Sequence, residues 1–246
     1  MVRPDDLAYD ISVCIHSDAI PREEFVIWGA RPVNVRALRR FPDTSVRSAI
    51  VSVPSGWSSE VSLMPAANQQ IAILSGRVHF GETTLGPDSF VVVPAGAHMP
   101  VLSAEEDTDF ILIQDEGQAY SPAGAGCSEA IVIPDMWAID PFTPVIDGVP
   151  LHGFERRVLW IDPQTGADTR LLRVPAGFRG GGASWHPVEE EIFCLEGDIQ
   201  PDETRPMRAG SYLWNPARSI HGFNEVTHGG CVLLEWHDGL WDLHRA

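Results

Sequence analysis

The sequence predicts an all-β protein that contains two copies of one domain. Two observations predict this fold class: an internal repeat and a regular series of short apolar segments. Residues 36–76 align without gaps on residues 157–197 at an offset of 121 residues, and an offset of 122 then extends the alignment to Gly117 and Gly239. A repeat of this length indicates a duplicated domain, because the units of solenoid proteins span only about 20–50 residues.

Short apolar segments separated by Gly- and Pro-containing turns predict the individual strands. In the first copy the strands cover residues 48–53, 70–74, 89–93 and 110–113, and in the second copy they cover residues 170–174, 192–195, 211–214 and 231–235. No long stretch shows the 3.6-residue period of an amphipathic helix. Strands this short and this closely spaced are typical of a β-sandwich or a β-barrel.

The repeat also predicts the domain boundaries. Residues 1–30 have no counterpart in the repeat, and we interpret them as an N-terminal arm that covers a sheet edge. The first domain then spans residues 31–119 and the second spans residues 131–246. Between them, residues 120–130 are small and rich in Gly, as expected of a linker.

The composition excludes several classes of function. The formal net charge of the 246-residue chain is −17, so the basic surface that nucleic-acid binding requires is missing. All 17 basic residues are Arg, and without a lysine amine the protein has no Schiff-base or pyridoxal chemistry. No apolar run approaches the ~20 residues of a membrane span, and the N-terminus has no signal-peptide core. A cytoplasmic protein with no membrane partner is therefore expected.

The four cysteines give no sign of a disulfide or a zinc ribbon. They are widely spread, and no pair has C-x-x-C spacing. In a reducing compartment they are expected to be free thiols. The four residues are Cys14, Cys127, Cys194 and Cys231.

The residues with the clearest chemical pattern lie in the second copy. His186 is followed after three residues by Glu190 and after six more by Gly197, and His221 comes from a later strand. Because Pro187 cannot donate to a ladder, a turn is expected after His186, and two adjoining strands would then aim the imidazole and the carboxylate at one point. Two imidazoles and one carboxylate with open positions suit Fe(II), and they can also hold Zn, Mn or Ni.

These segments resemble the two motifs of the cupin superfamily, G-x5-H-x-H-x3,4-E-x6-G and G-x5-P-x-G-x2-H-x3-N. Within that superfamily, the runs Glu-Glu-x-x-x-Leu-Glu-Gly-Asp and Gly-Ser-Tyr-x-x-x-Pro-x-x-x-x-His resemble the anti-sigma-factor-type, ChrR-like cupins and the related diketone and dihydroxyacetophenone dioxygenases. The resemblance covers residues 157–239 directly and residues 36–117 through the repeat. It implies a bicupin, which is a pair of tandem cupin jelly-roll β-barrels.

The sequence departs from the cupin motifs at two positions. Ser184 stands where the first motif has a further His, so three protein ligands remain. Arg218 replaces the Gly of the second motif and is expected to bind an anionic substrate at the mouth of the barrel, as a catalytic residue. Tyr212 shares a strand face with Trp214 and is expected to line the same cavity as a second catalytic residue.

Two further residues are interpreted from their positions along the strands. Cys194 shares a strand face with Glu190 by the period of two and is expected in the same pocket. His237 follows the last strand and stands opposite Asp115 in the repeat. It is interpreted as a solvated or capping residue, with a ligand or acid–base role as the alternative.

The first copy lacks every candidate metal ligand. The positions equivalent to His186, Glu190 and His221 hold Pro65, Gln69 and Met99. The same domain can therefore be built without these polar groups, which favours a metal role over a purely structural role in the second copy. One divalent metal ion per chain is expected, and Fe(II) is the leading identity.

The resemblance implies a metal-dependent enzyme that acts on a small oxygenated, anionic organic molecule. A non-haem Fe(II) dioxygenase that consumes O2 is the leading expectation. A metal-assisted isomerase, lyase or hydrolase would use the same ligands and stays open. A sensor or regulatory cupin module is the other alternative, although residues 1–35 lack the His-x3-Cys-x2-Cys zinc segment of the anti-sigma factors. Either a monomer or a homodimer is compatible with the duplication.

Overall fold

The computed structural model confirms that the chain is almost entirely β-structure. It describes residues 8–9, 12–117, 119–124, 128–146, 148–180, 182–201 and 204–246. The helices within these ranges are two 3-10 turns of three residues each, Ser17–Ala19 and Met136–Ala138. None of the described helices is long and apolar enough to cross a membrane.

Among the described residues, fourteen strands precede residue 139, and eleven follow it. The first group comprises β1 (Ala8–Tyr9), β2 (Val13–His16), β3 (Glu23–Phe25), β4 (Val33–Arg40), β5 (Val46–Val53), β6 (Leu63–Pro65), β7 (Gln69–Ser75), β8 (Val78–Phe80), β9 (Thr83–Leu85), β10 (Phe90–Val93), β11 (Leu102–Ala104), β12 (Thr108–Gln114), β13 (Tyr120–Pro122) and β14 (Ile131–Ile133). The second comprises β15 (Val145–Ile146), β16 (Val149–Pro150), β17 (Glu155–Ile161), β18 (Asp168–Val174), β19 (Ser184–Trp185), β20 (Glu190–Ile199), β21 (Met207–Arg208), β22 (Ser211–Asn215), β23 (Ser219–Ile220), β24 (Cys231–His237) and β25 (His244–Arg245).

The chain divides into two compact units that differ from the predicted domains at their edges. The first unit comprises residues 20–138, and the second unit comprises residues 1–19 and 139–246. Ile27 and Trp28 lie in the core of the first unit, so the arm that belongs elsewhere ends before them. The segment Ile131–Ile133 pairs with Phe90–Val92 of β10, so it continues the first unit rather than opening the second.

The first unit is held by one large antiparallel sheet and an apolar core. The strand order in the sheet is β14-β10-β7-β12-β5-β4-β3. Val- and Ile-rich strands bury their side chains under this sheet, and Trp28 stacks on Phe110 at 5.9 Å between ring centroids. Each large side chain removed from water in this way stabilises the fold by roughly 1.5–3 kcal/mol.

The second unit has a matching sheet in the order β17-β18-β24-β20-β22-β2, with β21 paired to β20. Strand β2 forms the outer edge, where Cys14 and Ile15 pair with Leu213 and Tyr212 of β22. The N-terminal arm therefore covers the edge of this sheet. Among the cysteines, Cys194 and Cys231 are free thiols, and Cys127 lies outside the described residues.

The repeat extends to the strand pairing, with one change of register near its end. Leu63 bridges Met99 in the first unit, and Ser184 bridges His221 in the second, as the predicted offsets require. In the last strand, however, Gln114 pairs with Gln69 and His237 pairs with Glu190, which makes the offset 123. One additional residue in the connection that follows His221 causes this shift. His237 therefore corresponds to Gln114 and not, as predicted, to Asp115.

Candidate metal centre and its cavity

The structure brings His186, Glu190 and His221 together in the second unit. One ligand atom from each residue lies within 4.8 Å of the others. The Nε2 atoms of His186 and His221 lie 3.3 Å and 3.8 Å from Oε2 of Glu190. His186 is fully buried and Glu190 nearly so, which leaves His221 as the most accessible of the three.

Local backbone contacts orient both imidazoles. Nδ1 of His186 lies 2.6 Å from the carbonyl of Val188, and Nδ1 of His221 lies 3.0 Å from the carbonyl of Ser219. A carbonyl oxygen can only accept, so each Nδ1 carries a proton and each Nε2 is the nitrogen that faces the candidate metal position. Burial lowers the pKa of His221 to about 4, although Glu190 opposes this, and the ring is neutral at physiological pH.

Glu190 is held by two residues outside the ligand set. Asn215 donates from Nδ2 to Oε2 of Glu190 over 2.8 Å, and Nε2 of His237 lies 3.1 Å from Oε1. His237 in turn approaches Oδ1 of Asp168 with its Nδ1 at 2.6 Å. Burial raises the pKa of Glu190, but the charge and hydrogen bond of His186 and the contacts with His237 have a larger, opposite effect. The pKa of Glu190 therefore lies well below its usual value, and the carboxyl stays ionised.

This donor set fits a divalent metal ion. An ionised carboxylate and two imidazole Nε2 atoms converge on one point, and the other nitrogen of each imidazole is already bonded to the backbone. A set of two imidazoles and one carboxylate with open positions suits Fe(II), and it can also hold Zn, Mn or Ni. The geometry does not distinguish these metals.

The candidate ligands open into a cavity of about 310 Å³ within the second unit. A volume of this size holds a small organic molecule. Its wall includes Ser184, Glu190, Asn215 and His221 at the candidate metal centre. Apolar side chains form much of the remaining wall, among them Phe154, Leu172, Phe178, Ile192, Leu213 and Leu233.

Charged residues also line the cavity. Arg156, Glu225 and Glu235 lie in its wall together with the more peripheral Arg179, Arg205 and Arg245. Burial, with added repulsion from Glu190 and Glu235, raises the pKa of Glu225 to about 7. Burial also raises the pKa of Glu235, against the attraction of Arg156.

Comparison with known proteins agrees with this geometry. Residues 141–239 match the family model of the ChrR cupin-like domain. The chain as a whole shares the cupin fold. No curated protein sequence matches the chain at a significant level.

Solved cupin-fold structures resemble nearly the whole chain at low sequence identity. A proposed dioxygenase from Nostoc punctiforme superposes with a TM-score of 0.79 at 18% identity and covers 93% of this chain and 82% of its own. The proposed glyoxylate-induced protein from Pseudomonas aeruginosa has a TM-score of 0.66 at 16% identity over 96% and 92% of the two chains. Oxalate decarboxylase from Bacillus subtilis has a TM-score of 0.58 at 13% identity over 94% and 78%.

The two residues predicted to be catalytic lie outside the cupin cavity. Arg218 sits on an exposed turn, and its backbone N–H donates to the carbonyl of His186 over 2.8 Å. Its backbone is left-handed, with φ of 64°, as is that of the equivalent Gly96 in the first unit, with φ of 72°. Tyr212 is buried and donates to Glu191 over 2.7 Å, on the sheet face opposite that of the cavity-lining Leu213.

Cys194 and His237 also differ from their predicted environments. Cys194 shares the inner strand face with Glu190 but lies further along it in the apolar core, away from the cavity wall. Burial raises the pKa of its thiol to about 12. His237 is buried rather than solvated. Burial lowers its pKa, but its hydrogen bonds to the carboxylates of Asp168 and Glu190 outweigh this effect and raise the pKa.

Strand pairing places further polar residues at the site that no sequence motif marks. Asn215 pairs directly with Glu190 across β22 and β20, and Asp168 pairs with His237 across β18 and β24. Both pairs join residues far apart in sequence. The only signal that could have identified them is an alignment of the two copies with the correct offset in the last strand.

The equivalent position in the first unit holds a neutral amide network. Trp28 donates to Oε1 of Gln69 over 2.7 Å, and Nε2 of Gln69 donates to Oε1 of Gln114 over 3.1 Å. The hydroxyl of Tyr120 lies 3.0 Å from the same Nε2 atom. The described residues of this unit contain no cluster of three metal-ligating side chains. The first unit therefore forms the same sheet with neutral amides at the positions where the second unit has a carboxylate and an imidazole.

Proposed function

We propose that the protein is a bicupin enzyme with one divalent metal ion in its second unit, bound by His186, Glu190 and His221. In this proposal each unit is a jelly-roll barrel, and the first serves only as scaffold. The observation that carries the proposal is the position of the ligand cluster in the wall of a cavity large enough for a small organic substrate. A purely structural metal site would have no use for such a cavity.

A non-haem Fe(II) dioxygenase is the reaction class that these residues support best. When bound, Fe(II) would polarise a coordinated substrate oxygen and bring the substrate and O2 together. The chain itself supplies apolar walls that exclude water and charged groups that orient a small oxygenated anion. The likeness to the proposed dioxygenase from Nostoc punctiforme supports the same reaction class.

Glu225 favours one alternative, which is a metal-assisted isomerase or lyase without O2 chemistry. A carboxyl group with a pKa raised to about 7 can accept or release a proton at neutral pH, and this one lines the cavity beside the candidate metal centre. Such an enzyme would use the same metal ligands. The two reaction classes are separated by whether O2 is consumed.

Elemental analysis and oxygen uptake test this proposal together. Protein purified without oxygen should contain about one metal per chain, and it should consume O2 with one of a panel of diketones and phenolic ketones. His221→Ala should remove both the metal and the uptake. His98→Ala is the control, because His98 faces Glu129 in the first unit. This substitution should change neither the metal content nor the oxygen uptake. Turnover of a panel member without O2 uptake would favour the isomerase or lyase, and a metal-free wild-type protein would refute the proposal.

Substitution of Ser184 separates an enzyme from a metal sensor. Ser184 lines the cavity and bridges the backbone of His221, so Ser184→His would bring a further imidazole to the ligand set. In an enzyme this change should tighten metal binding and lower turnover, because it occupies a position that substrate or O2 would use. Ser62→His in the first unit is the control. Unchanged turnover with tighter metal binding would favour the sensor.

A further inference from the structure

Two hydrogen-bond donors in the cavity wall have no acceptor among the described residues. They are Nε of Arg156 and Nε1 of Trp241, and both atoms are buried. Both residues line the same cavity as the candidate metal ligands. Buried donors without partners are costly, at roughly 1–3 kcal/mol each, and so they call for a specific explanation.

These two donors are neighbours. The guanidinium carbon of Arg156 lies 5.1 Å from the centre of the Trp241 ring, and that of Arg170 lies 4.5 Å from it. The two Arg residues differ in their partners, because Arg170 forms a short ion pair with Asp168. Within the described part of the chain, no carboxylate forms an ion pair with Arg156 within 4 Å, and Glu235, Asp168 and Glu190 attract its charge only from further away.

The first unit shows that the fold has no need of a cation at this position. Arg156 pairs with Leu172 in β18, and the equivalent pair in the first unit is Val35 with Val51. Val35 is buried in the apolar core of its unit. Replacing an apolar core residue by an Arg that has no close ion-pair partner costs stability, and such local violations are typical of functional sites.

We infer that the cavity binds an organic carboxylate through the guanidinium of Arg156 and the indole N–H of Trp241, with the body of the molecule directed along the apolar wall toward His221. The inference rests on the proposed function and defines its substrate class. Guanidinium and indole groups only donate hydrogen bonds, so their common complement is an acceptor, and the charge of Arg156 selects an anionic one.

The remaining wall favours a carboxylate over a phosphate. Phe154, Phe178 and Leu233 offer contacts to a hydrocarbon body, which inorganic phosphate lacks. Glu225 and Glu235 would repel a dianion more than a monoanion. Burial raises the pKa of Glu225 to about 7, so part of this negative charge is neutralised by a proton near pH 7 and a monocarboxylate remains acceptable.

Calorimetry with a matched pair of probes tests the inference. The full-length protein, freed of metal with EDTA so that no ion can hold the probe, is titrated with benzoate and with benzamide, which has the same shape and no charge. Wild-type protein should bind benzoate at least ten-fold more tightly than benzamide. Arg156→Val, which introduces the residue of the first unit, and Trp241→Phe, which removes the indole N–H and keeps an aromatic ring, should each weaken benzoate binding about ten-fold or more. Arg156→Val should change benzamide binding far less, because benzamide carries no charge.

Trp236→Phe is the matched control. Nε1 of Trp236 is also buried without an acceptor among the described residues, but Trp236 is absent from the cavity wall. Its substitution should leave benzoate binding unchanged. Equal affinity for both probes, failure to bind either, or equal losses in Trp236→Phe and Trp241→Phe would overturn the inference. If the purified protein contained no metal and showed no turnover but still preferred benzoate, the proposed function would be refuted and the carboxylate site would stand.

Discussion

Glu190 is the residue on which the candidate centre depends, and its two oxygens have different partners. Oε2 faces His186, His221 and Asn215, whereas Oε1 faces His237. A carboxylate anchored at both oxygens cannot rotate freely. The geometry offered to a metal is therefore decided partly by residues that do not bind it.

Substitution of His237 should weaken metal binding without unfolding the protein. His237→Gln introduces the residue that the first unit holds as Gln114, so the sheet tolerates it, but the contact from Asp168 through His237 to Glu190 is lost. The metal dissociation constant, measured by competition with a chelator, should rise about 10- to 100-fold. His228→Gln, in an exposed loop, should leave it unchanged. Equal affinity in His237→Gln and wild type would show that the anchoring is unnecessary.

Glu225 should make the stability of the metal-free protein fall as the pH rises. Its pKa is raised from 4.5 to about 7 by burial and by Glu190 and Glu235, against the attraction of Arg245. Between these two pH values the folded state holds a proton that the unfolded state has released, so stability is lost as pH increases. Across this range Glu225→Gln should lose less stability than wild type, by on the order of 1–3 kcal/mol after a discount for partial exposure.

Urea unfolding of both proteins at pH 5 and pH 8 measures this difference. Other groups titrate in both proteins, so only the difference between them reports on Glu225. Parallel pH profiles for the two proteins would place the pKa of Glu225 in its ordinary range. Glu196→Gln, at an exposed position, is the control that changes the net charge alone.

At the scale of strands, two equivalent glycines bring neighbouring backbones together. Gly197 in β20 has φ of 73°, and a Cβ atom there would lie 2.0 Å from the carbonyl oxygen of Gly230. Gly76 has φ of 79°, and its Cβ would lie 2.3 Å from the carbonyl oxygen of Asp107. The offending atoms belong to the backbone of the adjacent connection, so a side chain cannot move aside to relieve the clash.

Gly197→Ala should therefore destabilise the protein far more than Gly177→Ala. Gly177 has a similar φ of 74°, but a Cβ at that position meets nothing within 4 Å. The free energy of unfolding of Gly177→Ala should fall by only about 1–2 kcal/mol, which is the cost of a left-handed φ for a residue with a Cβ atom. In Gly197→Ala the clash with the backbone adds to this cost, for a total of about 3–5 kcal/mol. Denaturant titration of both variants gives the comparison. Similar losses of stability in the two variants would mean that the backbone at Gly230 can move away from the added Cβ at little cost.

The strands and the three candidate ligands that the structure brings together could be predicted from the sequence, but the inward face of every strand could not. The spacing of His186, Glu190 and His221 follows a motif, so it could be found without a structure. Alternation divides β22 into two faces, yet it does not say which one is inner. Aromatic size suggested the face of Tyr212, whereas the cavity is lined by Leu213 and Asn215.

The supporting residues escaped prediction because they become neighbours only through strand pairing. Asp168 and His237 are 69 positions apart, and their contact depends on the register of β18 and β24. One additional residue before β24 shifted the repeat and set His237 opposite the wrong residue. Arg156, Glu225 and Glu235 also line the cavity, but no spacing rule connects them.

For the whole molecule, the two units represent one architecture with different interiors. The first contains neutral amides and apolar side chains, and the second contains Glu190, Glu235, Asp168 and their basic partners. A buried set of charges is unfavourable by itself, because desolvation offsets much of the attraction between them. A bound cation would relieve the excess negative charge around Glu190.

Metal addition should accordingly stabilise the backbone of the second unit. Hydrogen exchange measured by mass spectrometry should slow in peptides that cover residues 184–237 when a divalent metal is added, because a ligand that binds only the folded state suppresses local opening. Peptides that cover residues 63–114 provide the internal comparison and should exchange at unchanged rates. Equal protection of both segments would contradict a single site per chain.

The edge strand β2 has a consequence for how the protein is made. Its residues pair with Leu213 and Tyr212, and Ser17 donates a backbone hydrogen bond to Gly210. About 200 residues separate these partners, so at about 5–20 residues per second the ribosome needs roughly 10–40 seconds to supply them. Residues 20–138 are complete long before that. Strand β2 is therefore synthesised long before its partners, and until they appear it has unpaired backbone N–H and C=O groups that chaperones can recognise.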